Sequence, residues 1–165
     1  MRPLFGFVPY HFPVRYRLYQ PGDFAALYAI EEACFEPPLR FPRAYMRQLA
    51  GSRHGVAWIA EEDGQMAGFA IAEWSSSGAQ IVAYIATLEV ASGFRKRGVG
   101  GELLRRLEAS AENAGAAWMW LHVDAENAPA IHMYESHRYQ CQDREEDYYG
   151  QHRAALIYAK ALPHV

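Results

Sequence analysis

Ten residues from Ile81 to Val90, IVAYIATLEV, are apolar or β-branched almost throughout, and a basic, glycine-rich loop and a helical pattern follow at once. A run of that length and character predicts a central strand buried on both faces. The next stretch, FRKRGVGGELLRRLE (Phe94 to Glu108), sets three basic residues and three glycines ahead of an apolar stripe at Leu103, Leu104, Leu107 and Ala111. That stripe has helical spacing. Glycine is costly inside a helix and useful where backbone must come close to something. The unit is therefore strand, close-approach loop, helix, and the rest of the chain must supply neighbours for that strand and cover for that helix.

The remaining pattern does so. VRYRLYQ (Val14 to Gln20) reads as a strand, PGD breaks it, and Asp23 is placed to cap a helix running to about Phe35. FEPPLRFP is a proline-rich loop, and a short helix spans about Arg43 to Ala50. GVAWIAEEDGQMAGFAIAEW reads as a hairpin turning at Asp63-Gly64. After the glycine-loop helix, which Gly115 ends, AWMWLHV (Ala117 to Val123) is another buried strand. Asn127 caps a helix with Pro129 in its first turn. Two extended runs close the chain, one near Tyr139 and one at Ala155 to Leu162. The order is β, two helices, hairpin, strand, helix, strand, helix, two strands. It predicts one α+β domain over residues 14–165 with a mixed, mostly antiparallel sheet. Residues 1–13, aromatic and proline-rich, form an extension and a poor signal peptide.

Composition narrows the class. The chain has 165 residues and a net charge of -3, which speaks against a nucleic-acid binder. No apolar run approaches the roughly 20 residues that span a bilayer. Cys34 and Cys141 lack zinc-site spacing, so they read as free thiols in a reducing compartment, and a cytoplasmic location without a metal is expected.

A glycine loop opening a helix is a natural anion site, because free N–H groups point outward and the helix dipole adds roughly half a positive charge. Two phosphate motifs fail. Val99 and Gly100 stand where a P-loop needs Lys and Ser/Thr, and Leu103 stands where a dinucleotide fingerprint needs its third glycine. The third pattern is Arg-x-x-Gly-x-Gly, Arg95-Lys96-Arg97-Gly98-Val99-Gly100, with Gly101 following. A glycine turn with a solvated basic rim is the plain reading of that hexapeptide alone.

The hexapeptide, with its strand and helix, resembles the coenzyme A pyrophosphate loop of the GNAT N-acetyltransferases. NAPAIHMYESHRY (Asn127 to Tyr139) is similar to that family's Asn–Ala–Tyr segment, with Arg138-Tyr139 where the family usually has Gly-Phe. The resemblance implies central strands that splay apart and acetyl-CoA as cosubstrate. It implies Asn127 on the pantetheine arm, Tyr134 beside the sulfur, and Leu88 and Val90 N–H groups on the thioester carbonyl and the pantetheine amide. Tyr84, His122 and the pair Tyr148-Tyr149 resemble the branch that acetylates protein N-termini, where the strand tyrosine and the histidine work as general bases. By the same resemblance Phe35, Pro37, Tyr84, Tyr148 and Tyr149 line the acceptor slot.

The chemistry agrees with those residue types. A peptide α-amine has a pKa near 8, so attack on a thioester needs a base, and histidine is suited to that work at neutral pH. Tyr84 serves as a base only if its pKa falls; otherwise it orients a water. Glu89 is the second candidate base, because strict alternation would set it on the face opposite Tyr84, Leu88 and Val90. Glu145-Glu146-Asp147 is most simply a solvated acidic loop. Two rival functions stand beside N-terminal acetylation: transfer to a lysine side chain or small-molecule amine, and a non-catalytic acyl-CoA-binding module.

Overall fold

The structure, a computed structural model, describes residues 12–163. Its elements are β1 (Arg15–Leu18), α1 (Phe24–Cys34), α2 (Arg43–Ala50), β2 (Gly55–Glu62), β3 (Gln65–Ser77), β4 (Gln80–Val90), α3 (Val99–Asn113), β5 (Ala116–Asp124), α4 (Ala128–Ser136), β6 (Gln140–Glu145) and β7 (Ala155–Ala161). The seven strands form one sheet in the order β1-β2-β3-β4-β5-β7-β6. All pairs are antiparallel except β4–β5. This is the α+β, mixed-sheet architecture that the element order predicts. The extension expected at residues 1–13 falls almost wholly outside the described residues.

Helices cover both faces. Leu103, Leu104, Leu107 and Ala111 of α3 are fully buried, and they cluster with Ala83 and Ile85 of β4, Met119 and Leu121 of β5, and Tyr134 of α4. Leu27 of α1 and Met46 of α2 close the opposite face over Ile59, Phe69 and Ile71. The hairpin turns where the sequence places it, with Asp63 at φ 49 and Gly64 at φ 75, the pair of positive values that a type I′ turn requires.

Three local expectations change. Asp23 begins α1, but its carboxylate turns back to the Arg17 guanidinium and the Gln20 N–H, each at 2.8 Å, because that ion pair competes with capping. β4 is not buried on both faces along its length: buried and half-buried residues alternate, since Tyr84 and Ala86 each line a cavity. The alternation also breaks once. Ile71 pairs with Thr87 and Ala72 with Ile85, so Ala86 is an extra residue, a β-bulge. Before the bulge Ala83 and Ile85 face α3; after it Leu88 and Val90 do, lying 3.6 Å from where a Gly100 Cβ would stand.

Candidate active site

Tyr84 and Trp120 form the last pair of the parallel β4–β5 ladder. Beyond them β4 runs on to Val90 beside β3, and β5 runs on to Asp124 beside β7. The two strands separate, and a cleft opens between them. The Ala91 N–H bonds back to Ala67 O on the β3 side at 2.8 Å. Strand N–H groups alternate sides, so those of Val90 and Leu88 point away from β3 into the cleft. A thioester carbonyl and a pantetheine amide are acceptors of the kind such donors seek.

At one end of the cleft stands the glycine loop. Gly98 is the N-cap of α3 at φ 81, and nothing lies within 4 Å of where its Cβ would be. The approach to the α3 N-terminus over Gly98 is therefore open, as an anion cradle needs. Gly100 and Gly101 serve a different purpose from the one their motif suggests. A Cβ at Gly100 would stand 3.0 Å from Met133 Sδ, and one at Gly101 would stand 3.1 Å from the His137 ring. They let α3 approach α4. The basic trio also divides. Arg95 Nε donates to Val90 O at 3.1 Å and Arg97 pairs with Glu62, so only Lys96 is without a protein partner among the described residues.

Helix α4 forms the wall next to the loop. Asn127 Oδ1 accepts from Ala130 N–H at 3.2 Å, which leaves its NH2 group outward. Arg138 adopts φ 70, so the turn usually built on glycine forms here with arginine. Tyr134 is buried and lines a narrow cavity of about 130 Å³ with Leu88, Asn127 and Tyr149. Burial pushes its phenol well above the usual range, which keeps it a hydrogen-bond donor. Leu88 and Asn127 line the same cavity, and Leu88 and Val90 approach Gly100 in the first turn of α3, an arrangement suited to an extended, phosphorylated thioester.

The other end is made of side chains. Tyr84 Oη lies 2.9 Å from His122 Nδ1, and His122 Nε2 lies 3.3 Å from Glu145 Oε2. The Tyr148 ring stacks on His122 at 4.2 Å and 10°. Trp120 flanks both Tyr84 and His122. Burial, with Tyr148 and Tyr149 beside it, pushes the Tyr84 phenol far above its usual value. The condition that would make it a free phenolate base is therefore not met. The loop carrying Tyr148 and Tyr149 is pinned to the end of β5, where Arg153 pairs with Asp124 at 2.6 Å.

A second cavity, of about 500 Å³, opens over these residues and is walled by Pro38, Leu39, Phe41, Tyr84, His122, Tyr148 and Tyr149. Phe35, expected in the acceptor slot, lines the narrow cavity and not this one, and Pro37 is exposed and lines neither. A turn closed by Leu39 N–H on Glu36 O at 2.9 Å throws Pro37 outward. Leu39 and Phe41 take its place; they sit in the same proline-rich stretch, and composition alone does not say which side of a turn a residue takes.

The expectation for Glu89 is overturned. Because of the bulge at Ala86, Glu89 lies on the Tyr84 side of the sheet, buried against Glu31 and Cys34 of α1. Burial and the Glu31 carboxyl hold its proton well above the ordinary carboxylate range. Its Oε1 accepts from Thr87 Oγ1 at 2.7 Å, while Glu31 Oε1 accepts from the Phe41 N–H at 2.7 Å. A carboxyl that stays protonated at neutral pH and is sealed in the core is no general base. Glu145, in turn, is not a residue of a solvated loop but the last residue of β6, in contact with His122.

Among the described residues no cluster of His, Cys, Asp and Glu is placed to hold a metal ion, and no helix is long and apolar enough to cross a membrane.

Comparisons with known proteins agree with this geometry. Streptothricin acetyltransferase of Streptomyces lavendulae is 42% identical over 72 residues, 44% of this chain and 37% of that one. N-alpha-acetyltransferase 60 of Xenopus tropicalis is 28% identical over 130 residues, 67% of this chain and 54% of that one. The chain thus spans about a third to a half of the length of these two relatives. Ribosomal protein bS18-alanine N-acetyltransferase of Escherichia coli (strain K12) is 32% identical over 120 residues, 69% of this chain and 72% of that one. The fold matches the crystal structure of Arabidopsis thaliana NAA60 with acetyl-CoA at a TM-score of 0.81 and 24% identity, covering 90% of this chain and 98% of that one. The model of the acetyltransferase (GNAT) family matches residues 24–139, across both walls of the cleft and the glycine loop, and the chain belongs to that family.

Proposed function

We propose that the protein is an acetyl-CoA-dependent N-acetyltransferase whose acceptor is the α-amine of a protein or peptide N-terminus. The observation that carries this reading is the Tyr84–His122 pair, at 2.9 Å, where the β4–β5 cleft meets the cavity roofed by the Tyr148-Tyr149 loop. A base pair at that junction stands where an amine entering from the open cavity meets a thioester lying in the cleft. One relative is named an N-alpha-acetyltransferase and another a ribosomal protein bS18-alanine N-acetyltransferase, and an extended peptide end suits the apolar and aromatic walls of the slot.

In this reading the pyrophosphate rests on the α3 N-terminus with Lys96 beside it. Arg95 and Arg97 shape the loop, Gly98 and Val99 bring its backbone close, and Gly100 and Gly101 let α3 pack on α4. The pantetheine arm follows the Val90 amide and Asn127, and the Leu88 N–H polarises the thioester carbonyl. The neutral amine attacks that carbon, a C–N bond forms, the C–S bond breaks, and coenzyme A leaves as thiolate. Tyr134, kept protonated by burial, donates a hydrogen bond to the departing sulfur. Phe35, Tyr84, Tyr148 and Tyr149, with Leu39 and Phe41, hold the acceptor's first residues.

The test is acetyl-CoA turnover on a library of peptides with free N-termini, against N-terminally blocked peptides carrying an internal lysine and against polyamines. Turnover confined to free α-amines is expected. Equal turnover of the blocked lysine peptides would end the N-terminal assignment. The match to streptothricin acetyltransferase favours a second reading, in which a small-molecule amine is the acceptor, and preferred turnover of such amines in the same panel would establish it.

A further inference from the structure

We infer that Glu145 is a positioning residue: it holds the His122 ring by Nε2, so that Nδ1 is the nitrogen presented to the Tyr84 hydroxyl. The inference rests on the acetyl-transfer reading above and adds a third member to its base.

Strand register brings the two residues together. β6 lies two strands from β5, and β7 lies between them. His122 pairs with Ile157, which pairs with Asp143; Asp124 pairs with Ala155, which pairs with Glu145. Directly paired residues share a face of the sheet, so Glu145 lies on the His122 face. Ala155, the residue between, is small enough for a carboxylate to reach across it. A bulge makes this so. Cys141 pairs with Tyr158 and Asp143 with Ile157, which leaves Gln142 as an extra residue. Without it Gln142 would face Ile157 and Arg144 would face Ala155. A guanidinium, which accepts no hydrogen bond, would then stand where the carboxylate stands.

The ring's own contacts complete the case. Tyr148 stacks flat on it and opposes rotation about the Cβ–Cγ bond, which would tilt the ring. Its two nitrogens meet opposite partners: Nδ1 the Tyr84 hydroxyl at 2.9 Å, Nε2 the Glu145 carboxylate at 3.3 Å. An ionised carboxylate only accepts, so it fixes the hydrogen on Nε2 and leaves the Nδ1 lone pair to accept from the phenol. The proton route follows. As the amine attacks, its proton passes to Tyr84 Oη while the Tyr84 proton passes to His122 Nδ1. The phenol ends neutral, and the imidazolium formed lies between Tyr84 and the Glu145 carboxylate until its proton returns to water. Glu145 is half exposed, at 52%, against 11% for His122. Its contribution is therefore that of one hydrogen bond, about three- to tenfold in kcat.

The test pairs ring-nitrogen NMR of histidine-labelled protein near pH 8 with steady-state kinetics on the best acceptor. The wild type is expected to show His122 hydrogen on Nε2. Glu145→Ala is expected to mix the two tautomers and lower kcat about three- to tenfold, with peptide KM and acetyl-CoA affinity unchanged. Glu145→Gln, whose amide oxygen still accepts from Nε2–H, is expected to restore most of both, and Glu146→Gln to change neither. Glu145 is exposed at the sheet edge, so these variants fold. Hydrogen on Nδ1 in the wild type, ring spectra unmoved by Glu145→Ala, or a kcat unmoved when the spectra change would each overturn the inference. Spectra that respond as expected in a protein that acetylates no amine would leave the ring's positioning standing and remove the acetyl-transfer reading instead.

Discussion

The two ends of the cleft are built from different material. The glycine-loop end is backbone: α3 N–H groups, the Leu88 and Val90 amides, and an open approach over Gly98. The acceptor end is side chain: Tyr84 from β4, His122 from β5, Glu145 from β6, and Tyr148 from a loop. The backbone end comes from one continuous stretch of sequence and, in the proposed function, meets the charge that every acyl-CoA carries. The side-chain end comes from three separate stretches and, in the same function, must match one acceptor and move one proton. The difference teaches that the two ends should fail separately.

His122→Phe tests the separation most severely. It keeps the ring volume between Tyr148 and Trp120 and removes both nitrogens. A positioned base contributes about 10²–10⁴-fold, so kcat is expected to fall by that range while calorimetry finds acetyl-CoA affinity within about twofold of wild type. A folded variant with near-native kcat would remove histidine from the chemistry.

Gly98→Val makes the reverse test. Valine at φ 81 is strained, and its side chain would enter the approach to the α3 N-terminus. A loss of about tenfold or more in acetyl-CoA affinity is expected, with kcat at saturating acetyl-CoA largely kept. Gly98, not Gly100, is the site for this experiment, because a side chain at Gly100 would push on Met133 and disturb packing instead. Unchanged affinity would show that the pyrophosphate lies elsewhere.

Tyr148→Ala sharpens the contrast within the acceptor end. The ring both covers His122 and walls the slot. Peptide KM is expected to rise several-fold with acetyl-CoA affinity unmoved. A change in kcat alone would make Tyr148 a support for the histidine and nothing more.

The smallest effect on turnover concerns the sealed carboxyl pair behind the slot, where the change is one of stability. Glu89 binds its proton more tightly folded than unfolded. The folded state then holds more protons than the unfolded one, and stability falls as pH rises from the ordinary carboxyl value near 4.3 toward the raised one. Each proton so held gives a slope of up to about 1.4 kcal/mol per pH unit. Glu89→Gln removes that dependence. Denaturant titrations at pH 5 and pH 8 are expected to show the variant gaining on the wild type at the higher pH. An equal difference at both would mean that Glu89 is ionised in the fold.

Much of the molecule was legible because local rules agree with the tertiary structure. Helix α2 spans Arg43–Ala50 as its pattern predicts, and Asp63-Gly64 turns the hairpin. The long run Ile81 to Val90 lies in the central strand β4, and the stripe from Leu103 to Ala111 is buried. The glycine loop was legible for the same reason, since a loop that opens a helix is a local object. Pro37 was misplaced because a turn's composition does not say which residue it throws outward.

Two single-residue bulges were beyond the sequence's reach, and they decide the acceptor end. Ala86 reverses the alternation of β4, which sends Leu88 and Val90 toward α3 and buries Glu89 beside Glu31. Gln142 shifts β6 by one, which brings Glu145 rather than Arg144 onto the His122 face. Neither residue marks itself, because a bulge is a choice of register between two strands, made by what each strand must pack against. The amino-acid sequence by itself determined the elements, their order and the backbone cradle, all of which depend on neighbours along the chain. Which side chains meet across the sheet was decided only when the strands paired, because one extra residue moves every side chain after it to the opposite face.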